Sequence, residues 1–266
     1  MNRLSQRLAA GRSGRRLVLV GYLPAGYPGR EEFVACVRAA FEAGADAMEI
    51  ALSNPPLPMD GPRIQQAAQL GARNVSGPLD ALQRAAGARV QPDQSVVALA
   101  YRAAFDELGA ERFLEVCVDG GADALLMPQH TMAEQLEMAH RSRAVGLEQL
   151  VFLHLQEDLP ALAASGLTRP VVYLQSADLQ TGGRFDAAKA VERLGEVREA
   201  LAGRDAHVLV GFGVRGPEEA AALLDSTADG VIVGTSLVEA AADGPGAVRE
   251  LVGRMQPALT RNLAAR

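Results

Sequence analysis

The sequence predicts a single domain, residues 1–266, folded as a closed (β/α)8 barrel, also called a TIM barrel. Three observations support this prediction. The chain has 266 residues, of which 48% are hydrophobic, and this length is usual for one α/β barrel. Short apolar runs alternate with longer amphipathic segments along the chain, and no linker or low-complexity tract separates them. An open doubly wound sheet is the alternative, because periodicity alone does not fix the number of strands.

The short apolar runs read as eight strands, rich in Val, Leu and Ile as parallel strands covered on both faces must be. The predicted strands are residues 17–23, 47–52, 95–101, 124–127, 150–155, 171–174, 207–211 and 230–233. Amphipathic segments between them predict helices, among them residues 30–43, 110–119, 131–144, 187–202 and 217–225. A short helix at about residues 1–15, with Leu4 and Leu8 on one face, is expected to pack on the first strand.

A short pattern recurs along the chain. The segments EAGADAMEI (42–50), DGGADALLM (119–127) and STADGVIVG (226–234) each place a helix end, an Ala-Asp pair and an apolar strand in the same order. Glycine ends helices readily because it tolerates the left-handed conformation. The recurrence favours a repeated β-then-α unit, and therefore the closed barrel.

Composition and charge exclude several classes of protein. The formal net charge of −6 disfavours a nucleic-acid-binding surface. No run approaches the roughly 18 apolar residues of a membrane span. The two cysteines, Cys36 and Cys117, lie among Val and Ala without metal-ligand spacing, so buried reduced thiols are expected. Reduced thiols suit a reducing compartment, and a cytoplasmic protein is expected.

Two acidic residues follow the start of the second predicted strand. Glu49 lies inside the apolar run AMEIAL, and Asp60 follows a proline-rich loop. A carboxyl buried in a strand has a raised pKa, and two acids in unlike environments are the usual basis of an acid/base pair. The alternative is structural: Glu49 faces the helices and pairs with an arginine, while Asp60 caps the helix that begins at Pro62.

Glycines end the seventh and eighth predicted strands. Gly213 and Gly234 each precede a helix, and Thr235 follows Gly234 directly. Glycine lets backbone N–H groups approach phosphate oxygens, and a helix N-terminus adds positive potential. Barrels of this class commonly bind phosphate at these two loops. These glycines alternatively serve only as tight strand-to-helix turns.

Several other residues raise weaker hypotheses. Tyr101 and Tyr173 end strands and either line the cavity or pack in the core. The Thr-Gly-Gly at residues 181–183 predicts a mobile loop over a ligand, with an ordinary connection as the alternative. His130 is expected to be solvated, and His154 has no second ligand at metal-binding spacing. No metal site is therefore predicted.

Several motifs occur together in an order that one known family shares. They are GYLPAGYPG (21–29), Glu49, Asp60-Gly61-Pro62, Ile64-Gln65, GADALLMP (121–128), Tyr173 eight residues before Thr181-Gly182, GFGV (211–214) and DGVIVGTS (229–236). In this combination the chain resembles the tryptophan synthase alpha chain along nearly its whole length. Each motif alone is weak, but their joint occurrence is specific.

The resemblance implies cleavage of indole-3-glycerol phosphate to indole and glyceraldehyde 3-phosphate, with no cofactor. It implies that Glu49 exchanges protons with the indole ring carbon and the glycerol hydroxyl, and that Asp60 stabilises charge at the indole nitrogen. The other residues matched to the substrate site are Ile64, Tyr101, Tyr173, Thr181, Gly182, Phe212, Gly213, Gly234 and Thr235. Two alternatives are a weakly active or non-catalytic paralogue that binds a phosphorylated indole, and a lyase or isomerase for another phosphorylated small molecule.

The loops that meet the β chain in this family differ here. Residues 50–59 read IALSNPPLPM and lack the Ser-Asp-Pro of the family pattern. Residues 128–131 read Pro-Gln-His-Thr in place of Pro-Asp-x-Pro, and Arg102 and Ala103 follow Tyr101 in place of Tyr-x-Asn. A tryptophan synthase β chain is the protein partner that the resemblance implies, with altered coupling loops. No nucleic-acid or membrane partner is expected.

Overall fold

Eight parallel strands close into one barrel in chain order. The computed structural model describes residues 2–52, 57, 59–153, 156–175, 185–211 and 213–261. The strands are β1 (Val18–Pro24), β2 (Ala47–Ala51), β3 (Ser95–Leu99), β4 (Ala124–Leu126), β5 (Glu148–Leu153), β6 (Val171–Gln175), β7 (His207–Gly211) and β8 (Gly230–Val233). Because β8 pairs with β1, the sheet is closed. The predicted (β/α)8 barrel is confirmed, and the open sheet is excluded.

Helices cover the outside of this barrel. Within the described residues they are α1 (Arg3–Ser13), α2 (Arg30–Glu42), α3 (Pro62–Gly71), α4 (Pro78–Gly87), α5 (Arg102–Leu108), α6 (Ala110–Asp119), α7 (Met132–Ala144), α8 (Leu159–Ala164), α9 (Ala187–Ala200), α10 (Pro217–Ala222), α11 (Thr235–Ala242) and α12 (Pro245–Met255). Short 3-10 turns follow at Gln156–Asp158 and Gln256–Leu259. No helix in the described part of the chain has the length and apolar character needed to cross a bilayer.

The predicted elements match the observed ones except at some ends. The third strand stops at Leu99, because Tyr101 is already the residue before the first turn of α5. The fifth strand begins at Glu148, two residues before the apolar run, because this carboxylate is held by Ser5 and Arg143 rather than left in solvent. A search for apolar runs does not detect a strand that begins with a polar residue. The helix predicted at 217–225 ends at Ala222.

The core is apolar and continuous from the barrel into the helix layer. Leu4 and Leu8 of α1 are fully buried. Both cysteines, Cys36 and Cys117, are buried and unbridged, and burial raises the pKa of Cys36 to about 11 and that of Cys117 to about 12. The predicted reduced, buried thiols are confirmed.

The recurring Ala-Asp pair has a structural explanation at the N-terminal end of the barrel. Asp46, Asp123 and Asp229 each lie directly before an even-numbered strand and are almost fully buried. Each carboxylate accepts a hydrogen bond from a backbone N–H of the preceding strand, at 2.7 Å from Leu19, 2.9 Å from Val96 and 2.7 Å from Val208. The repeated Asp therefore links neighbouring strands by a hydrogen bond at three places in the barrel.

The arginines of α1 bind these three carboxylates. Arg7 contacts Asp46 at 2.5 Å, Arg3 contacts Asp123 at 2.9 Å, and Arg12 contacts Asp229 at 2.7 Å. Each carboxylate also holds one guanidinium from outside α1; these are Arg16, Arg89 and Arg198. The arginine-rich helix α1 is thus bound to the N-terminal end of the barrel, called the barrel floor below.

Candidate active site

The C-terminal ends of the strands surround a cavity that is partly open to solvent. Both predicted acids and all three glycine-loop residues line it. The described lining residues are Tyr22, Glu49, Met59, Asp60, Ile64, Leu99, Tyr101, Leu126, Pro128, Phe152, Tyr173, Gly213, Val214, Arg215, Ile232, Gly234 and Thr235.

Glu49 points into this cavity from the middle of β2. Side chains alternate along a strand, and the parity is visible at the paired residues Gly21 and Met48, which face the helix layer. A Cβ on Gly21 would lie 2.8 Å from both the Met48 sulfur and a methyl group of Leu237 in α11. Glu49 is 2% exposed, and its Oε2 has no hydrogen-bond partner among the described residues. The alternative in which Glu49 faces the helices and pairs with an arginine is wrong.

The environment of Glu49 favours its protonated form. Burial is the larger cause and the nearby negative charge of Asp60 is the second, and together they raise the pKa of Glu49 from 4.5 to about 8. At neutral pH Glu49 therefore holds a proton that it can donate. Once it has donated that proton, the resulting carboxylate can act as a base.

Asp60 is fixed beside the cavity by its own chain. Its backbone N–H donates to the Leu57 carbonyl at 2.9 Å, and its carbonyl accepts from the Gln65 side chain at 3.0 Å. The hydroxyl of Tyr101 donates to its carboxylate. Helix α3 is preceded by Gly61, which has no side-chain cap. The alternative in which Asp60 caps this helix is therefore wrong, and its buried carboxylate is directed at the cavity instead.

Three tyrosines surround the two acids. Tyr22, Tyr101 and Tyr173 are buried, and burial followed by the carboxylates of Asp60 and Glu49 raises the pKa of each phenol well above its usual value. All three phenols are consequently neutral hydrogen-bonding groups. The Tyr173 ring packs against Phe152 with centroids 5.2 Å apart.

The opposite end of the cavity is made by the loops after β7 and β8. Gly213 has φ +86, and a Cβ there would lie 3.1 Å from the Cα of Phe185, so a side chain would be both strained and crowded. Gly234 precedes the first turn of α11, which begins at Thr235. Arg215 is exposed and is the only cationic side chain among the described lining residues. The first turn of α11, whose N–H groups have no partner within the helix, and one guanidinium make this end attractive to an anion.

The structure thus brings together most of the residues predicted from sequence. Those lining the cavity are Glu49, Asp60, Ile64, Tyr101, Tyr173, Gly213, Gly234 and Thr235. The predictions for Thr181, Gly182, Phe212 and His154 fall outside the described residues. Sequence reasoning missed Tyr22 and Arg215. Two signals could have found them. Tyr22 faces the same side of the sheet as Glu49, and Arg215 lies two residues after Gly213.

The prediction for His130 is wrong. Its side chain is 6% exposed, with its ring edge-to-face against Phe105 at a centroid distance of 4.8 Å. Burial, followed by the positive charge of Arg102, lowers its pKa. Phe105 of α5 covers the His130 ring, a contact that a polar stretch of sequence does not reveal. No group of three potential metal ligands occurs in the described part of the chain.

Comparisons with known proteins agree with this geometry. A family model described as tryptophan synthase alpha chain matches residues 8–262. The chain belongs to this family. The tryptophan synthase alpha chain of Nocardia farcinica is 31% identical over 261 residues, which is 96% of this chain and 94% of the relative. That of Streptomyces avermitilis is 30% identical over 259 residues, covering 95% of this chain and 92% of the relative.

A solved structure of Mycobacterium tuberculosis tryptophan synthase gives a TM-score of 0.83 at 29% identity, covering 98% of this chain and 99% of that one. Tryptophan synthase alpha chains are lyases that cleave indole-3-glycerol phosphate, and the family normally pairs with a β chain. The predicted family and enzyme class are confirmed.

Proposed function

We propose that this chain cleaves indole-3-glycerol phosphate to indole and glyceraldehyde 3-phosphate, with Glu49 as acid and base and Asp60 at the indole nitrogen. One observation carries the assignment of these roles. A buried carboxyl whose pKa is about 8 faces the same cavity as a second carboxylate and an anion-attracting end. Two acids in unlike environments divide the work of proton donation and charge stabilisation.

The first step protonates the ring. Glu49 donates its proton to the indole carbon that carries the glycerol chain, and the ring nitrogen becomes cationic. Asp60, held by the Tyr101 hydroxyl, stabilises that N–H with its negative charge. A charge-assisted hydrogen bond in a water-poor site is stronger than one in solvent.

The second step breaks the carbon–carbon bond. The Glu49 carboxylate formed in the first step takes the proton of the hydroxyl on the adjacent glycerol carbon. That oxygen becomes the aldehyde oxygen, and the electrons of the broken bond return to the ring to give indole. Glu49 ends protonated, so one residue completes the cycle.

The phosphate is assigned to the far end of the cavity. Backbone N–H groups at Gly213 and Gly234, the Thr235 hydroxyl and the Arg215 guanidinium supply hydrogen bonds and positive charge there. The apolar side chains of Leu99, Leu126 and Ile232 lie in the same cavity, and a flat indole ring suits them. The two ends thereby orient the glycerol chain across Glu49.

A spectrophotometric assay of indole release tests this proposal. We expect wild-type protein to release indole, and Glu49→Gln to lose that activity while binding indole-3-propanol phosphate in calorimetry with unchanged affinity. Full activity of Glu49→Gln would contradict the assignment. Binding without indole release by wild type would indicate a non-catalytic paralogue, and no response to either indole phosphate would favour another phosphorylated substrate.

We also propose that this chain is less dependent on a β chain than its family pattern implies. Asp60 is already held by Tyr101 of the same chain. Arg102 links the neighbouring segments, because its guanidinium donates to Glu134 at 2.6 Å and its backbone N–H donates to the Gln129 side chain at 3.1 Å. Adding a tryptophan synthase β chain to the indole assay should then raise the rate less than tenfold. A larger activation would show that the active arrangement of Asp60 and its loop needs the β chain.

A further inference from the structure

Tyr22 presents a second unsatisfied polar group beside Glu49. It lies on β1, and its Cα pairs with that of Glu49 across the β1–β2 ladder. The side chain is 5% exposed and lines the cavity. Its hydroxyl oxygen is buried and has no hydrogen-bond partner among the described residues, as is also true of Glu49 Oε2. Two such atoms at one level of the barrel mark a place where a ligand's polar group fits.

A buried hydroxyl without a partner is costly. Leaving such a group unsatisfied costs about 1–3 kcal/mol, and most buried polar groups in native proteins have a hydrogen-bond partner. Phenylalanine would fill the same space without that cost. The hydroxyl therefore points to a ligand rather than to packing.

The chemistry of this hydroxyl is restricted to hydrogen bonding. Burial is the main cause that raises the pKa of Tyr22 well above its usual value, followed by the negative charges of Asp60 and Glu49. A phenol in this state stays neutral, so it donates a hydrogen bond and does not act as a base.

The positions of the other groups indicate which ligand atom it meets. Tyr101 already donates to Asp60, at the end of the cavity assigned to the indole nitrogen. Gly213, Gly234 and Arg215 form the end assigned to the phosphate. The strand partner of Tyr22 is Glu49, whose substrate atoms in the second step are the reacting hydroxyl and the ring carbon. Of these two, only the hydroxyl accepts a hydrogen bond.

We propose that Tyr22 is a further catalytic residue, whose hydroxyl donates a hydrogen bond to the glycerol oxygen that Glu49 deprotonates. This inference rests on the proposed function. As the proton moves to Glu49, negative charge develops on that oxygen before it becomes the aldehyde oxygen. The hydrogen bond from Tyr22 therefore strengthens in the transition state, as with an oxyanion-hole donor. No proton leaves Tyr22, so the balance of the reaction is unchanged.

Tyr22→Phe removes one oxygen and keeps the ring. We expect kcat for indole-3-glycerol phosphate to fall about 100-fold, since loss of one such donor typically costs 10²–10³-fold. The affinity for indole-3-propanol phosphate, which has the ring and the phosphate but no glycerol hydroxyls, should stay within twofold. Tyr27→Phe is the matched control, because Tyr27 is 9% exposed, follows the same strand and does not line the cavity.

An unchanged kcat in Tyr22→Phe would overturn the inference. Equal losses of affinity for both ligands would also overturn it, because they would assign Tyr22 to packing. Binding in the Glu49→Gln background separates this inference from the proposed function. There, adding Tyr22→Phe should weaken indole-3-glycerol phosphate but not indole-3-propanol phosphate, even if wild-type protein proved unable to release indole.

Discussion

Replacing Glu49 by glutamine should change how the stability of the protein depends on pH. In the folded protein the pKa of this carboxyl is about 8, compared with an ordinary value of 4.5. The folded state therefore binds its proton more tightly than the unfolded state does. Stability from this group is complete below about pH 4.5 and is lost as the pH rises towards and through about 8.

The size of the effect follows from the two pKa values. Each unit of difference corresponds to about 1.4 kcal/mol. Integrating between the ordinary value of 4.5 and the folded value of about 8 gives a penalty of about 1 kcal/mol at pH 5 and about 5 kcal/mol at pH 9. Wild-type protein should thus lose about 4 kcal/mol of unfolding free energy over this interval through Glu49 alone. Glutamine has the same shape and no proton to lose.

Urea denaturation at pH 5, 7 and 9 measures this difference. The unfolding free energy of wild-type protein should fall below that of Glu49→Gln by an amount that grows with pH. The m-value, the slope of this free energy against urea concentration, should be the same for both proteins. The control is Glu218→Gln, which removes an exposed carboxylate and should parallel wild type. If the wild-type and Glu49→Gln curves run parallel within about 1 kcal/mol, on the scale of one pKa unit, the reasoning about this buried carboxyl is wrong.

Three further outcomes are expected. The kcat/KM for indole-3-glycerol phosphate should be constant at neutral pH and fall above about pH 8, as Glu49 loses the proton that it donates. Arg215→Ala should raise the KM about tenfold with kcat unchanged, and by less at high salt, because an exposed guanidinium is screened. Asp229→Asn should lower the unfolding free energy at pH 7 by about 3 kcal/mol, since Asp229 is a buried partner of Arg12 and Arg198.

Each of these outcomes has a control. A kcat/KM that rises through pH 8 would show that the carboxylate starts the reaction. Arg63→Ala, an exposed arginine paired with Glu239 and absent from the cavity lining, should leave the KM unaltered. Asp205→Asn removes a 61% exposed partner of Arg12 and should cost less than about 0.5 kcal/mol. Equal costs for Asp205→Asn and Asp229→Asn would refute the distinction between exposed and buried pairs.

The stability that Asp229 provides also depends on pH in the opposite sense to that of Glu49. Burial opposes its ionisation, but the nearby His207 ring, the hydrogen bonds from Arg12 and the charge of Arg198 hold the pKa of Asp229 well below its usual range. Its contribution is therefore present above about pH 4 and is lost as the pH falls further. Acid unfolding of Asp229→Asn should lack this component.

The barrel could be predicted from sequence because its strands are apolar throughout and lie in chain order. Hydrophobic runs carry that information locally. The place of Glu49 could also be predicted, because a carboxylate inside a buried run is costly unless it has a use. The ends of β3 and β5 could not, because Tyr101 and Glu148 are fixed by contacts that the local pattern does not contain.

The rest of the site depends on tertiary contacts. Tyr22 is one more aromatic residue in an apolar strand, and only the ladder with β2 shows that it lies beside Glu49. The partner of Asp60 is Tyr101, 41 residues away, and no spacing rule connects them. His130 lies in a polar stretch, yet packing under Phe105 buries it. Such pairings arise only when distant segments fold over one another.

The carboxylates at the barrel floor have a consequence for the order in which the chain assembles. Arg3, Arg7 and Arg12 of one short helix reach acids that precede β4, β2 and β8. All three anchors exist at their final spacing only after the ring has closed. Helix α1 is therefore expected to be among the last elements to find its partners, and its docking would report that the ring of strands is complete.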